Sequence, residues 1–319
     1  MYNSKTLSIM KKILLSISAV MAMMAMTATF SACSSDDEQK PSNLGTLILD
    51  ADKLNYIDAG EADTRALSEE GTTIKTYWDK DADKVTVFAN NWKNNIGTLT
   101  PQPDKVPAGS SPQRTKLEGP ITYSNLKVGD PLNLILPRPE WQYTDQKGTI
   151  ADISQNFDYI TTNISIVYID PGDEKNPVYS TTALFGKAQQ AIVKFTLLDG
   201  DGNPLELSDD PELSITTAGN QLVKKCNLDG TAAEKGGALV IKPGTKTNVF
   251  YVAIRNDNEG NDQYTLSIKD KNGKFLSYTK SDVNFARGVY KKVKVKMKFY
   301  DETYTERTAY DDQGEETWE

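Results

Sequence analysis

Apolar and polar residues alternate along most of this chain, and that pattern constrains the fold more than any other feature of the sequence. In residues 292–299, Val293, Val295 and Met297 alternate with lysines, so one face is apolar and the other is charged. A period of two residues is the period of a β-strand with one buried face and one face in water. After residue 44, no segment carries a long apolar stripe at helical spacing, and the sequence therefore predicts an all-β protein. Further runs with this period lie at residues 45–50, 84–89, 132–136, 164–169, 192–198, 239–241, 248–254, 264–268 and 274–278.

Residues with turn-forming chemistry separate these runs. Asn272-Gly273 lies between two of them, and Asn-Gly between strands is a strong signal for a β-hairpin. Lys-Pro-Gly at residues 242–244 and Asp-Gly-Asp-Gly-Asn-Pro at residues 199–204 also indicate turns. We expect one short helical turn, around residues 149–154. The chain is thus predicted to consist of short strands joined by tight connections.

A polar stretch at residues 171–182 divides the strands into two series. We place a boundary near residues 181–189, because a new series of hairpins follows it. Each side then has roughly 140 residues, enough for a β-sandwich of about seven strands. We therefore predict an N-terminal β-sandwich domain at residues 45–182 and a C-terminal β-sandwich domain at residues 183–319.

The first 33 residues have the layout of a bacterial lipoprotein signal. Two lysines precede an uncharged, largely apolar stretch at residues 13–32, and Phe-Ser-Ala stands directly before Cys33. A basic start, an apolar core and small residues before the cut are the parts of a secretory signal peptide. We predict a signal peptide at residues 1–32, acylation of Cys33 with palmitate-type chains, and an acidic flexible tether at residues 33–44. Because 20 apolar residues can span a bilayer, an uncleaved membrane anchor is the alternative.

Composition excludes several classes of function. The formal net charge is −8 for the whole chain and −11 after residue 32, because the leader carries three lysines and no acidic residue. Such an acidic chain has no basic surface for nucleic acid. There is no histidine, which excludes Ser-His-Asp and Cys-His catalysis and histidine-bound zinc. Cys226, the one cysteine besides Cys33, has no partner for a disulfide and is predicted to be a buried, inert thiol.

One stretch has the spacing of the first calcium ligands of a calcium-binding loop. Asp199, Asp201 and Asn203 occupy alternate positions, but Pro204 stands where that loop requires glycine. We therefore predict a hairpin turn and no metal site. We also expect no cofactor and no enzymatic activity, since no motif requires either.

The chain resembles the fimbrillins, subunits of surface fimbriae in Gram-negative gut and oral anaerobes, and the fimbrillin-like surface lipoproteins. The resemblance extends over essentially the whole secreted part. It is carried by the leader with its acidic follow-on, TYWDKDADKVTVFA at residues 76–89, WQY at 141–143 with QKGTI at 146–150, and the series from residues 191–198 to GVY at 288–290. It implies an all-β fold of two tandem antiparallel β-sandwich domains of the transthyretin-like, Greek-key type.

The resemblance also implies a maturation route. Such subunits travel to the outer membrane as lipoproteins, are cut by an arginine-directed protease, and lose a β-strand whose groove is then filled by a strand of a neighbouring subunit. Arg65, the first arginine, lies in a polar, acidic stretch, so the cut is predicted at Arg65–Ala66. Residues 45–65 would leave, and their removable strand contains Leu47, Ile48 and Leu49.

The C-terminal tail at residues 300–319 is a candidate donor strand in this scheme. Tyr300, Tyr304 and Tyr310 share one face of it, although Glu302 and Glu306 lie on the same face. A tail that does not donate would make the protein an accessory, anchor or tip component. The expected partners are other fimbrial subunits, and the expected location is the cell surface and then the fimbrium.

The rival interpretation is a permanently anchored surface lipoprotein that binds glycan. Trp141 and Tyr143 are its candidate contact residues, because exposed aromatic rings stack on sugars. Tryptophan is also common in sandwich cores, so the sequence alone leaves both interpretations open. Adhesion to a host or bacterial surface ligand is compatible with either.

Overall fold

The computed structural model describes residues 44–53, 67–70, 73–111, 113–122, 125–170, 177–186, 188–258, 260–299, 308–310 and 316–318. They belong to one unit that spans Asn43–Glu319, and the other unit, Met1–Ser42, lies outside the described residues. Cys33 and the predicted leader and tether therefore stay predictions. Within the described ranges, no helix is both long and apolar enough to cross a bilayer.

The structure is almost entirely β, as the alternation predicts. Among the described residues, one short α-helix, α1, spans Ile150–Asn156, and one turn of 3-10 helix spans Pro103–Lys105. The strands up to residue 186 are β1 (Leu44–Lys53), β2 (Leu67–Glu70), β3 (Thr73–Thr76), β4 (Val85–Ala89), β5 (Asn94–Gln102), β6 (Arg114–Thr122), β7 (Pro131–Leu136), β8 (Ile160–Asp170), β9 (Val178–Thr181) and β10 (Leu184–Gly186). Those that follow are β11 (Ala191–Leu198), β12 (Leu213–Thr217), β13 (Val223–Cys226), β14 (Ala232–Lys235), β15 (Leu239–Ile241), β16 (Val249–Ile254), β17 (Asp262–Lys269), β18 (Phe275–Val283), β19 (Tyr290–Lys296), β20 (Lys298–Phe299), β21 (Thr308–Tyr310) and β22 (Glu316–Trp318).

Eight strands of the first part form one sheet, in the order β10-β1-β6-β5-β4-β7-β8-β9. Because β1 also pairs with β9, seven of these strands close into a ring. Every strand of the ring contributes apolar side chains to one interior core. The first part is therefore a closed barrel, and the predicted pair of tandem sandwiches is not confirmed.

The second part contains two five-stranded sheets that share one core, and a two-stranded sheet of β13 and β14. The orders of the five-stranded sheets are β16-β11-β19-β22-β21 and β15-β12-β17-β18-β20. Phe195 and Phe250 from the first sheet pack in the same apolar cluster as Leu266 and Tyr278 from the second. The last strand of the barrel sheet ends at Gly186 and the first strand of these sheets begins at Ala191.

Several local predictions are confirmed. The hairpin at Asn272-Gly273 joins β17 to β18, and Gly273 has the positive φ of +78° that this turn requires. The helical turn is α1, which begins after Thr149, whose side chain accepts a hydrogen bond from the Asp152 N–H at 3.1 Å. In the turn after β11, Asp199 Oδ1 accepts from the N–H groups of Asp201 and Asn203.

Residues 141–148, which we call the linking segment, join the barrel to the second part. The Tyr143 N–H donates to Lys224 O at 2.8 Å, and the Cys226 N–H donates to Trp141 O at 2.9 Å. The Gln146 side chain is 1 % exposed. Its amide donates to Ala253 O and accepts from the Ala253 N–H, both at 2.8 Å. Gln146 thus acts as a strand partner for the edge strand β16.

We predict that Gln146→Met lowers the free energy of unfolding by about 2–4 kcal/mol, because it leaves buried backbone groups without their partner. Urea unfolding measures the difference. Gln155→Met, on an exposed position of α1, is the matched control and should change stability by less than about 0.5 kcal/mol. Equal effects of the two substitutions would contradict the role assigned to Gln146.

Candidate strand-exchange site

Both edges of β1 are hydrogen-bonded to other strands. It pairs with β6 in antiparallel fashion from Leu44 to Asp52. On its other side it pairs in parallel with β9 over residues 46–48 and with β10 over residues 51–53. The predicted removable strand, with Leu47, Ile48 and Leu49, is thus the strand that closes the barrel.

The side chains of β1 alternate between the barrel core and the outside. Leu47, Leu49 and Ala51 are buried, whereas Ile48 and Asp50 are half-buried. A fully buried leucine contributes about 1.5–3 kcal/mol relative to an exposed one. At the start of the strand, Gly45 lies against Tyr179, and a Cβ on Gly45 would lie 2.5 Å from Tyr179 Cε2. The position of Gly45 therefore accepts no larger residue without a shift of that ring.

The C-terminal end of β1 carries a buried ion pair. Lys53 is 3 % exposed, and its Nζ lies 2.8 Å from Asp83 Oδ2. The same ammonium group donates to Tyr77 O at 2.8 Å and lies 4.6 Å from the ring centre of Trp78. Because a buried charge is costly unless it is paired, this contact ties the end of β1 to the segment before β4.

A tight turn holds the Asp83 carboxylate in place independently of β1. The Asp83 N–H donates to Asp79 O at 2.8 Å, and the Asp79 N–H donates to Asp83 Oδ2 at 2.9 Å. Asp79 Oδ1 in turn accepts from the N–H groups of Asp81 and Ala82. These residues belong to the stretch at 76–89 on which the resemblance to fimbrillins partly rests.

Sequence reasoning did not identify Lys53 or Asp83 as site residues. A signal for Lys53 exists in the alternation, since it has the same parity as Leu47, Leu49 and Ala51. A lysine at an inward position of an apolar strand requires a buried partner. No local pattern indicates that this partner is Asp83, 30 positions away.

The predicted cut lies between β1 and the hairpin of β2 and β3. Arg65 and Ala66 are outside the described residues; β1 ends at Lys53 and β2 begins at Leu67. Leu67 and Ile74 are buried in a core cluster that also contains Ile192 and Ala253 of the second part. The hairpin that follows the cut is therefore attached to the second part of the chain.

Glu69 provides the polar part of this attachment. Lys194 Nζ lies 3.0 Å from both of its carboxylate oxygens, Lys292 Nζ lies 3.1 Å from one of them, and the Tyr251 hydroxyl donates to the other. Burial opposes ionisation of Glu69. The hydrogen bonds from Tyr251, Lys194 and Lys292 outweigh that effect and lower its pKa from 4.5 to about 2.

We predict that Glu69→Gln destabilises the protein at neutral pH and has little effect near pH 2. A carboxylate whose pKa is lower in the folded state stabilises that state above its unfolded pKa of 4.5, and the stabilisation is lost as the pH falls through about 2. At pH 7 the loss should be about 1 kcal/mol after allowance for solvent screening. Urea unfolding of both proteins between pH 2 and pH 7 measures it.

Glu212→Gln is the control, since Glu212 forms an exposed ion pair with Lys242. It should change stability little at any pH. A difference between wild type and Glu69→Gln that is constant between pH 2 and pH 7 would contradict the assignment.

The end of the C-terminal tail lies in the chain's own core. Tyr300 and Tyr304 fall outside the described residues, and Tyr310 ends β21. Strand β22 pairs in parallel with β19 and places the fully buried Trp318 among the aromatic rings of the second part. The ring centres of Phe195, Tyr278 and Phe285 lie 6.1–6.3 Å from that of Trp318. Residues 316–318 of the tail therefore pack in the core of their own chain.

The expected glycan contacts of Trp141 and Tyr143 are not supported, because both rings are buried at 1 % and 0 % exposure. Trp141 stacks on Tyr159, and its indole N–H donates to the Tyr143 hydroxyl at 2.9 Å. Burial raises the pKa of Tyr143 above its usual value. The rings are core elements of the linking segment and offer no face to a sugar.

Cys226 lies in the same core cluster as Trp141 and Tyr143 and has no disulfide partner in the part of the chain that the structure describes. Burial raises the pKa of its thiol to about 11. The thiol is therefore protonated and unreactive at neutral pH, as the sequence predicts.

No protein-family model matches the sequence, and no curated protein matches it either. Among solved structures, it matches a fimbrial assembly protein from Parabacteroides distasonis at 14 % identity, covering 86 % of this chain and 98 % of that one, with a TM-score of 0.39. It also matches two Porphyromonas gingivalis proteins, each at 10 % identity, 74 % coverage of this chain and a TM-score of 0.31. These are the tip fimbrial protein Mfa3 and the fimbrial anchor protein Mfa2, covered over 81 % and 82 % of their chains.

These three proteins are fimbrial proteins. The fimbrillins, which the sequence resembles, are fimbrial proteins as well. Identities of 10–14 % and TM-scores of 0.31–0.39 do not define what this chain does.

Proposed function

We propose that this protein is a subunit of cell-surface fimbriae that accepts a β-strand from a neighbouring subunit and serves adhesion. It is exported as a lipoprotein through Cys33 and held at the outer membrane. An arginine-directed protease then cuts at Arg65–Ala66 and releases the segment that contains β1. The neighbour's strand takes the place of β1.

The position of β1 is the observation that carries this proposal. Its departure would leave β6 with one unpaired edge and would also uncover the edges of β9 and β10. It would open an apolar slot where Leu47, Leu49 and Ala51 now lie. Unpaired backbone groups beside an apolar slot form a template for strand addition.

Strand addition at this slot suits a polymer. The added strand is hydrogen-bonded along both edges and buries alternate side chains, so the link between two subunits needs no disulfide. A contact in which one subunit donates and the next accepts is heterologous and produces an open filament unless the rotation closes a ring.

The burial of the end of the tail is evidence for the position of this subunit in the fimbria. A donor strand has to be free to leave its own chain, whereas Trp318 is fully buried among aromatic rings. We therefore propose an accessory or tip role, in which the subunit accepts a strand and does not donate its tail; an anchor would have to keep Cys33, which the proposed cut removes. The other candidate function, glycan binding through Trp141 and Tyr143, lacks support because both side chains are buried.

We predict that the protein isolated from its native cells begins at Ala66 and that Arg65→Ala blocks this processing. N-terminal sequencing and intact-mass measurement identify the start, and unboiled gels report high-mass assembly. Arg114→Ala, at an exposed arginine at the start of β6, is the control and should leave the cut unchanged. An acylated Cys33 on an uncut monomer would contradict the proposal.

We predict that Trp318→Ala lowers the free energy of unfolding by about 3–5 kcal/mol, the usual loss for a buried tryptophan. Phe275→Ala is the aromatic control, because Phe275 is 60 % exposed, and should cost less than about 1 kcal/mol. Urea unfolding of the two variants measures the difference. Equal small effects would show that the tail is not part of the core and is available as a donor.

A further inference from the structure

We infer that a strand replacing β1 must carry a cationic side chain at the position of Lys53, and that it therefore comes from a different protein and not from the tail of a second copy. This inference rests on the proposed strand exchange and deepens it. It follows from what the cut would remove, since Lys53 belongs to the released segment and Asp83 stays with the rest of the chain.

Loss of Lys53 would leave a carboxylate in a site built for an ion pair. Asp83 is 5 % exposed, and its Oδ2 would retain the hydrogen bond from the Asp79 N–H but not its cation. The turn at residues 79–83 holds the carboxylate through its own backbone contacts, none of which involves β1. The Asp83 carboxylate therefore keeps its position when Lys53 is lost. A buried carboxylate without its partner is strongly unfavourable.

The surroundings of Asp83 are suited to an ammonium or guanidinium group. The Lys53 Nζ contacts the carboxylate, the Tyr77 carbonyl oxygen and the face of the Trp78 ring. A carbonyl oxygen and an aromatic face both attract a cation and do not favour an anion. A neutral side chain at this position would leave Asp83 buried and unpaired.

The remaining inward positions of β1 set the register of such a strand. The site at Gly45 excludes a Cβ because of Tyr179, the sites at Leu47 and Leu49 are apolar and buried, and the site at Ala51 is small. A matching strand thus reads small, aliphatic, aliphatic, small and cationic at alternate positions. A slip by two residues would put the cation in an apolar slot.

The chain's own tail does not fit this pattern in either direction. Arg307 is the only basic residue in residues 300–319. With Arg307 at the position of Lys53, the Leu47 and Leu49 sites receive Asp301 and Thr303 when the tail runs in the direction of β1. They receive Gln313 and Asp311 when it runs the other way. Both arrangements bury an acidic group in an apolar slot, which excludes the tail of a second copy as the occupant.

The test uses the full chain with a site-specific protease sequence substituted at residues 60–65. After cleavage, the segment bearing β1 is exchanged against peptides, and affinities are measured by competition with a labelled peptide of residues 43–55. The competitors are that peptide, its Lys53→Met variant, and a variant with Lys53→Met and Asp52→Lys, which places a lysine on the outward face of the strand instead. A peptide of residues 299–319 represents the tail.

We expect Lys53→Met to weaken binding by roughly 100-fold, and the displaced lysine not to restore it. We expect the tail peptide not to compete. In an Asp83→Asn protein the Lys53→Met peptide should bind at least as tightly as the wild-type peptide, because the buried lysine then lacks its carboxylate. The peptide series on the wild-type protein remains decisive if Asp83→Asn does not fold.

The outcomes separate this inference from the proposed function. If no peptide exchanges with the cut segment, strand replacement itself is wrong. If the wild-type and Lys53→Met peptides exchange with equal affinity, strand replacement stands and the cation requirement is overturned. Restoration by the outward lysine would overturn the contact with Asp83, and competition by the tail peptide would overturn the exclusion of a second copy.

Discussion

The pairing of β1 along both of its edges is the constraint on which the barrel depends. The strand comes first in the described chain, yet its neighbours β6, β9 and β10 lie more than 60 residues away in sequence. Its inward leucines complete the barrel core, and Lys53 at its end satisfies a carboxylate held by a distant turn. A strand that makes so many contacts across one continuous surface can leave only if another strand of similar chemistry takes its place.

The linking segment has a similar importance for the second part of the chain. Gln146 satisfies both backbone groups of Ala253 at the edge of β16, so the edge of that sheet is covered without an additional strand. Trp141 and Tyr143 fill the space beside it. The motif at residues 141–150, which contributes to the resemblance with fimbrillins, is therefore explained by packing and edge protection and not by ligand recognition.

The tail has a mainly polar sequence and nevertheless contributes a residue to the core. Residues 300–319 contain many acidic residues and few apolar ones, and their alternation suggests a weak strand with one aromatic face. The tail nevertheless ends in a buried tryptophan that fills a space between aromatic rings of both sheets. One large aromatic side chain buries enough apolar surface to anchor a strand whose other residues contribute little.

The alternation was sufficient to predict the strands, the hairpin at Asn272-Gly273 and the parity of Leu47 and Leu49, because each depends on residues only a few positions apart. It did not predict that the first part closes into a barrel, that Lys53 meets Asp83, or that Trp141 and Trp318 are buried. These features depend on which distant segments come together, and a period of two is the same whether the strand lies in a sandwich or closes a ring. The partners of β1, and hence the chemistry of the groove that its loss would open, follow from the three-dimensional arrangement because hydrogen bonds and ion pairs form between neighbours in space.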